Sequence, residues 1–234
     1  YWFYLFYRKT TKPLICSSYA LKFIHTSLLF MMLSSIGPWV LGIIMNTLGS
    51  NSPWYKNAIY FYLHFQYNGW FIFCLIGLFF LLVAHLKISI SNKKSRLIYR
   101  LFTVSCFLTF FLSVLWMQPH PIIYIIAGIG AVLQAIALIK FIQIIKPIQP
   151  FLKKNLAPIV YRSLQFALLF FTLKITLQTI SALPYFAALA SQVISFVIGY
   201  LHLTFLGVVS LSLFAFLTYF KLIKLPPFFF AFKA

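Results

Sequence analysis

The chain of 234 residues is 63% hydrophobic and 21% aromatic, and only 8% of its residues are charged. Soluble domains are about half apolar and about a quarter charged, so this composition, with a mean hydropathy of +0.98, excludes an ordinary soluble domain. The charge is one-sided: 19 Lys and Arg stand against no Asp or Glu, for a formal net charge of +19.

Several apolar runs exceed the roughly 20 residues that a helix needs to cross a bilayer. The predicted fold is therefore all-α, a polytopic transmembrane helical bundle in contact with the lipid bilayer. The absence of carboxylates is abnormal. Ala84 at a helix end and Ala187 and Ala188 in a loop stand where a carboxylate would be ordinary. A basic-patch argument for nucleic acid needs acids to weigh the cations against, so the surplus is not read as a nucleic-acid signal and no nucleic-acid partner is expected. Cys16, Cys74 and Cys106 are scattered, with no Cys-x-x-Cys, which speaks against a cysteine-based metal site. Cys74 and Cys106 read as small apolar fillers.

In chain order, the apolar stretch Tyr1–Tyr7 precedes a basic connector, 8–22. Because the charges follow the apolar run, it is not a signal peptide. The first full span is predicted at 21–46. It contains Ser34-Ser35-Ile36-Gly37-Pro38-Trp39, where the proline frees a carbonyl and kinks the helix. The second span, 58–85, carries Tyr62-Leu63-His64-Phe65-Gln66-Tyr67-Asn68-Gly69-Trp70 near its start. The third is predicted at 98–117 and ends in the turn Met117-Gln118-Pro119-His120-Pro121. The fourth, 122–145, has Gly128 and Gly130 for close packing, and Pro147, Pro150 and Pro158 are expected to break the helix beyond it. The fifth, 159–183, has Lys174 at its middle. After a loop at 184–191 the sixth, 192–220, carries Tyr200-Leu201-His202-Leu203-Thr204-Phe205-Leu206-Gly207. The apolar tail Phe228–Phe232 and the apolar start read as partial segments at both ends. The chain is thus expected to be one transmembrane domain over 1–234, a piece of a longer protein with six full spans.

Lys and Arg along the connectors alternate as four, one, five, none, five, none and two. That is the positive-inside pattern over six spans. It predicts that 8–22, 86–100, 146–158 and 221–227 are cytoplasmic and that 47–57, 117–121 and 184–191 face outward. Trp39, Trp54 and Trp116 fall near the predicted outer interface, as an aromatic belt would place them. His64 and His202 then lie in the outer half of the membrane, on helices that run in the same direction. His120 is expected to face solvent, and His25 and His85 to be interfacial.

Two segments share Tyr-Leu-His, four residues, Gly: Tyr62, His64 and Gly69, then Tyr200, His202 and Gly207. An ionisable residue inside a span is a functional candidate by default, and neutral imidazole is a common metal ligand. His64 and His202 could hold a heme iron from opposite faces. Gly69 and Gly207 would leave room for the macrocycle, and Tyr62, Gln66, Asn68, Tyr200 and Thr204 would orient the imidazoles. Alternatively, both histidines bond to neighbouring helices and the glycines serve packing alone. Lys174, Gln178 and Ser181 recur at helical spacing on one face. They form either a proton path or a structural arrangement in which the lysine pairs with a carboxylate that this sequence does not show. No nucleotide loop, zincin motif or hydrolase nucleophile elbow is present.

The segment His64-Phe65-Gln66-Tyr67-Asn68-Gly69-Trp70 resembles the His-x-x-x-x-Gly pattern in a heme-bearing helix of the heme-copper oxidase superfamily. The nitric oxide reductase and C-type oxidase branches are the most similar. There a His-x-His precedes the glycine and two histidines ligate two hemes. Here Tyr62 and Tyr200 stand at the first position, so one ligand per motif carries over, to His64 and His202. The chain is also similar to a group of bacterial membrane proteins with Ser-Ser-Ile-Gly-Pro, Leu-His-Phe-Gln-Tyr-Asn-Gly-Trp-Phe and Gly-Tyr-x-His-Leu-x-Phe-Leu-Gly segments. The resemblance implies helices upstream, a bacterial inner-membrane location, heme, and a place beside other membrane subunits in a respiratory or electron-transfer complex. No paired His-His for copper is visible, so oxygen reduction does not carry over. From a different functional class, a cofactor-free structural subunit or a small-solute or proton transporter would use the same histidines to line a packing interface or a polar cavity.

Overall fold

The computed structural model describes residues 19–223. The apolar segments expected at the two ends, together with Cys16 and most of the 8–22 connector, lie outside the described residues. Among those described there is no strand, and six helices are long and apolar enough to cross a membrane. The protein is an integral, multi-pass membrane protein with an all-α bundle.

Helix α1, Tyr19–Thr47, is two segments, Tyr19–Ser34 and Ile36–Thr47, that meet at Ser35. Pro38 has no N–H to offer the Ser34 carbonyl four residues back, and the break falls there. Helix α2, Pro53–His85, opens on Ser52, whose hydroxyl accepts from Trp54 N at 3.3 Å, with Pro53 in the first turn. Its middle, Phe65–Phe71, is a π segment. Helix α3, Asn92–Met117, tightens into a 3-10 helix over Phe110–Met117 and is closed by Gln118 in a left-handed conformation at φ 51°. Helix α4, Pro121–Asn155, is capped by His120, whose Nδ1 accepts from Ile122 N at 3.4 Å. Helix α5 is Pro158–Ile180. The short α6, Pro184–Gln192, leads into α7, which is built of Ile194–His202, a π segment Leu203–Ser210 and Leu211–Tyr219.

Two expectations from composition are corrected. Pro147 and Pro150 do not end α4, which continues to Asn155. The carbonyls they orphan, on Gln143 and Lys146, belong to exposed residues. Buried Leu152 and the hydrogen bond from Gln149 Nε2 to Tyr161 OH (3.1 Å) hold the extension onto α5. The stretch 184–191 is not an irregular loop but most of α6, started by Pro184 in its first turn.

Each span packs against its antiparallel neighbour: α1 on α2, α3 on α4, α5 on α7, with α4 also on α5. Helix α2 is central, touching α1, α3 and α7. Of its most apolar stretch, 61% is buried, against 28% to 39% in the other five spans. Its phenylalanines build the core. Phe65 stacks on Phe30 of α1 at 5.8 Å and on Phe110 of α3 at 5.6 Å, and Phe73 meets Phe30 edge-on at 5.0 Å. Helix α4 shows the opposite pattern on one face. Ile122, Ile125, Ile129, Val132, Ile136 and Ile139 are exposed at three- and four-residue spacing, while Ala127, Gly130, Ala131 and Gln134 are buried. That apolar stripe is what a helix presents to lipid.

Five glycines, Gly37, Gly69, Gly77, Gly130 and Gly207, sit at close approaches between helices. A Cβ on Gly69 would sit 2.6 Å from Phe30 Cγ of α1, one on Gly130 would sit 2.7 Å from Leu108 Cβ of α3, and one on Gly207 would sit 2.9 Å from Phe170 Cγ of α5. Association between helices in lipid rests on such packing because lipid tails are as apolar as the side chains. A Cβ on Gly128 would meet nothing within 4 Å. Gly69→Ala is therefore expected to destabilise the bundle by about 1–3 kcal/mol through overpacking. Gly128→Ala is expected to be neutral or slightly stabilising. Unfolding in detergent, followed by loss of helical circular dichroism, checks both.

Candidate functional site: a buried lysine and its hydrogen-bonded chain

Helix α5 carries Lys174 inward, and its side chain is fully buried at 0% exposure. Its ammonium donates to Asn68 Oδ1 on α2 and to Gln178 Oε1 one turn along α5 at 2.7 Å. Asn68 in turn donates from Nδ2 to His64 Nδ1 at 3.3 Å, and His64 Nε2 lies 2.8 Å from the Cys106 carbonyl of α3. A carbonyl only accepts, so Nε2 carries the imidazole proton and Nδ1 is the acceptor. On the other side, Tyr200 OH of α7 donates to Gln178 Oε1 at 3.0 Å, and the Tyr200 ring lies 5.8 Å from the Lys174 ammonium. One polar chain thus joins α3, α2, α5 and α7.

Local irregularity supplies its last acceptor. Where α3 turns into a 3-10 helix, Phe110 N–H bonds to Phe107 O rather than to the Cys106 carbonyl four residues back. The Cys106 carbonyl is thereby freed inside an apolar core, where an unmatched acceptor is costly, and His64 satisfies it. The Thr109 hydroxyl lies 3.4 Å from the same carbonyl. Both ring nitrogens of His64 are thus engaged within the protein.

The chain borders a cavity of about 670 Å³. Lys174, Asn68, His64, Gln178, Tyr200 and Ser181 give it a polar side. Leu112, Leu177, Ile180, Phe196 and Val197 give it an apolar one, and Phe186, Ala187 and Leu189 of α6 with Trp116 of α3 line the end where the connectors carry little Lys or Arg. The volume lies within the range of small-molecule sites, about 300–1,000 Å³.

The structure divides the residues picked out from the sequence. His64, Asn68, Lys174, Gln178 and Tyr200 come together, and Ser181 joins through the Gln178 backbone carbonyl at 2.8 Å. His202 does not join them. It is exposed, its Nδ1 donates to Ile198 O of its own helix at 2.8 Å, and it does not line the cavity. Gln66 faces α1, accepting from Ser34 Oγ at 2.7 Å. Tyr62 packs by its Cβ against the position of Gly37. Gly69 and Gly207 lie against Phe30 and Phe170 rather than against an open slot. Thr204 is buried and bonds back to Tyr200 O at 2.9 Å. The residues present do not fit a heme held between His64 and His202: one imidazole is saturated by protein partners and the other is turned away. Among the described residues no group of three or more His, Cys, Asp or Glu could hold a metal ion.

Sequence reasoning did not find the Cys106 carbonyl, because a backbone acceptor exposed by a change of helix type leaves no residue signature. It also treated His64 and Lys174 separately, although Asn68 links them.

His64→Ala leaves the Cys106 carbonyl with only the long contact from Thr109 and the Asn68 Nδ2 without its acceptor, and is expected to cost about 1–3 kcal/mol. His202→Ala is expected to stay within about 0.5 kcal/mol of the native protein. Denaturant unfolding of the two variants in the same detergent checks the contrast. No family model, curated protein or solved structure matches the chain with statistical support, so what the site can do is read from its own atoms.

Proposed function

We propose that this is a cofactor-free membrane transporter whose small-solute binding site is the cavity around Lys174. The observation that carries this reading is a fully buried amine, held by neutral partners from two helices, that borders a cavity of ligand size. A buried ionisable group is expensive in a bilayer and marks substrate or ion pathways. An apolar side chain of similar volume would brace the bundle at lower cost. The relay from Lys174 through Asn68 and His64 ends on a backbone carbonyl, which has no proton to pass on. This favours a positioned amine in a binding site over a through-going proton wire. The alternation of Lys and Arg along the connectors supports an orientation with the basic connectors in the cytoplasm and the cavity in the outer half of the bilayer.

Two measurements test the reading. In proteoliposomes challenged with osmotic gradients of small carboxylates, amines and polyols, stopped-flow light scattering is expected to show faster uptake of at least one solute than in protein-free vesicles. Lys174→Met/Asn68→Leu/Gln178→Leu removes the amine together with both of its acceptors and leaves only His64 Nδ1 and Tyr200 OH without those partners; it is expected to remain folded at a cost of about 1–3 kcal/mol for each such group, while losing that uptake. Uptake at the vesicle background for every solute would sink the transporter reading, and unchanged uptake in the triple variant would sink the site. A reduced-minus-oxidised spectrum of the native protein is expected to show no heme band. A band lost in both His64→Ala and His202→Ala would replace this reading with the electron-transfer one.

A further inference from the structure

Resting on the cavity as a solute site, we infer that its ligand is a small monoanion with an apolar body, a carboxylate of medium chain length, whose head pairs with the Lys174 ammonium. This chain contains no Asp or Glu, so none of its own side chains brings a carboxylate to Lys174. The groups that face it are neutral: Asn68 and Gln178 offer carbonyl oxygens, and Tyr200 offers a ring face and a hydroxyl already committed to Gln178. Two of the ammonium's three donors are used on those oxygens, and at 0% exposure the third reaches a ligand once the side chains that line the cavity beside it move apart.

The remaining geometry selects the rest of the molecule. A second cation has no place at the head, because among the described residues Lys174 is the one charged side chain that lines the cavity. A dianion would bring one uncompensated charge into a low-dielectric site, which is costly, so a single negative charge matches the single amine. Of the small lining hydroxyls, those of Thr109, Ser181 and Thr204 are bonded to carbonyls of their own helices, and Ser113 and Ser195 are the others, while Leu112, Leu177, Ile180, Phe196 and Val197 form the apolar wall. A polyol or sugar would leave most of its hydroxyls facing that wall, whereas an aliphatic chain would lie against it. The lysine pays for its burial when the anion arrives: charge pairs with charge only in the occupied site, so affinity depends on the ammonium and not on the apolar wall alone.

The probes are hexanoate, hexanol and hexylamine, which share a chain and differ in the head. Binding to the full chain in lipid nanodiscs is followed by fluorescence of Trp116, which lines the cavity, with Trp116→Phe subtracted to remove signals from the lipid and the other tryptophans. Hexanoate is expected to bind about tenfold or more tightly than hexanol, and hexylamine to bind weakest. Asn68→Asp and Gln178→Glu place a carboxylate beside Lys174 at constant side-chain size, and an ion pair there leaves folding intact. Each is expected to raise the melting temperature and to weaken hexanoate about tenfold or more while sparing hexanol. A lysine with a purely structural role would show the stability gain without the change in hexanoate affinity. If hexanol or hexylamine binds as tightly as hexanoate, or if the acidic variants bind hexanoate like the native protein, the anion assignment is overturned and the solute site stands. If none of the three probes binds, the solute-site reading falls with it.

Discussion

Inside a bilayer every polar atom must find its partner within the protein or in a cavity it encloses, and in this chain that constraint converges on the Lys174 amine. Its bonds to Asn68 and Gln178 tie α5 to the central helix α2, and through His64 and Tyr200 they extend to α3 and α7. Remove the amine and the Asn68 carbonyl oxygen is stranded, Gln178 keeps only its bond from Tyr200, and the bond that joins α5 to α2 is lost. The rest of the bundle is largely phenylalanine packing, which is nondirectional. The polar chain is what specifies how the helices are rotated relative to one another.

That chain depends on helices that are not regular. The π segment of α2 begins immediately after His64, and Asn68 lies within it. The 3-10 end of α3 releases the carbonyl that His64 needs. The π segment of α7 begins immediately after His202. Departures from the α-helix of this kind cluster at functional sites because they free backbone groups and re-aim side chains. Here each departure falls where a polar group enters the core or where a glycine meets a large side chain of the partner helix, as Gly69 meets Phe30 and Gly207 meets Phe170. The recurrent Tyr-Leu-His-x-x-x-x-Gly pattern is thus a structural unit: a residue that closes an α segment, followed by a π turn with a glycine at its contact point.

The two copies of that unit come to different ends because their helices occupy different places. Helix α2 is surrounded on several sides, so His64 and Asn68 both find protein partners. Helix α7 packs mainly against α5, and the residue equivalent to His64 is exposed while Thr204 and Val208 are buried instead. The positions that match Gln66 and Asn68 in the second copy are Thr204 and Leu206, and Leu206 is exposed. Equal spacing along the chain therefore does not give equal burial, and a shared ligand between the two histidines does not follow from it.

The amino-acid sequence by itself determined the membrane class, the number of long spans and the identity of the unusual polar residues. Hydropathy over about 20 residues and the rarity of ionisable groups in a bilayer are local properties of the chain. It also marked the break at Pro38 and the close approach at Gly130, but not the open space beside Gly128, because which helical glycine meets a neighbour depends on how the helix is rotated. The continuation of α4 past Pro147 was not legible, because it depends on whether the orphaned carbonyls are exposed and on Leu152 finding a place against the core. Nor was the pairing of Asn68 with Lys174, 106 positions apart, the release of the Cys106 carbonyl, or the outward turn of His202. These follow from which helix sits at the centre and how far each is rotated, and tertiary packing sets both.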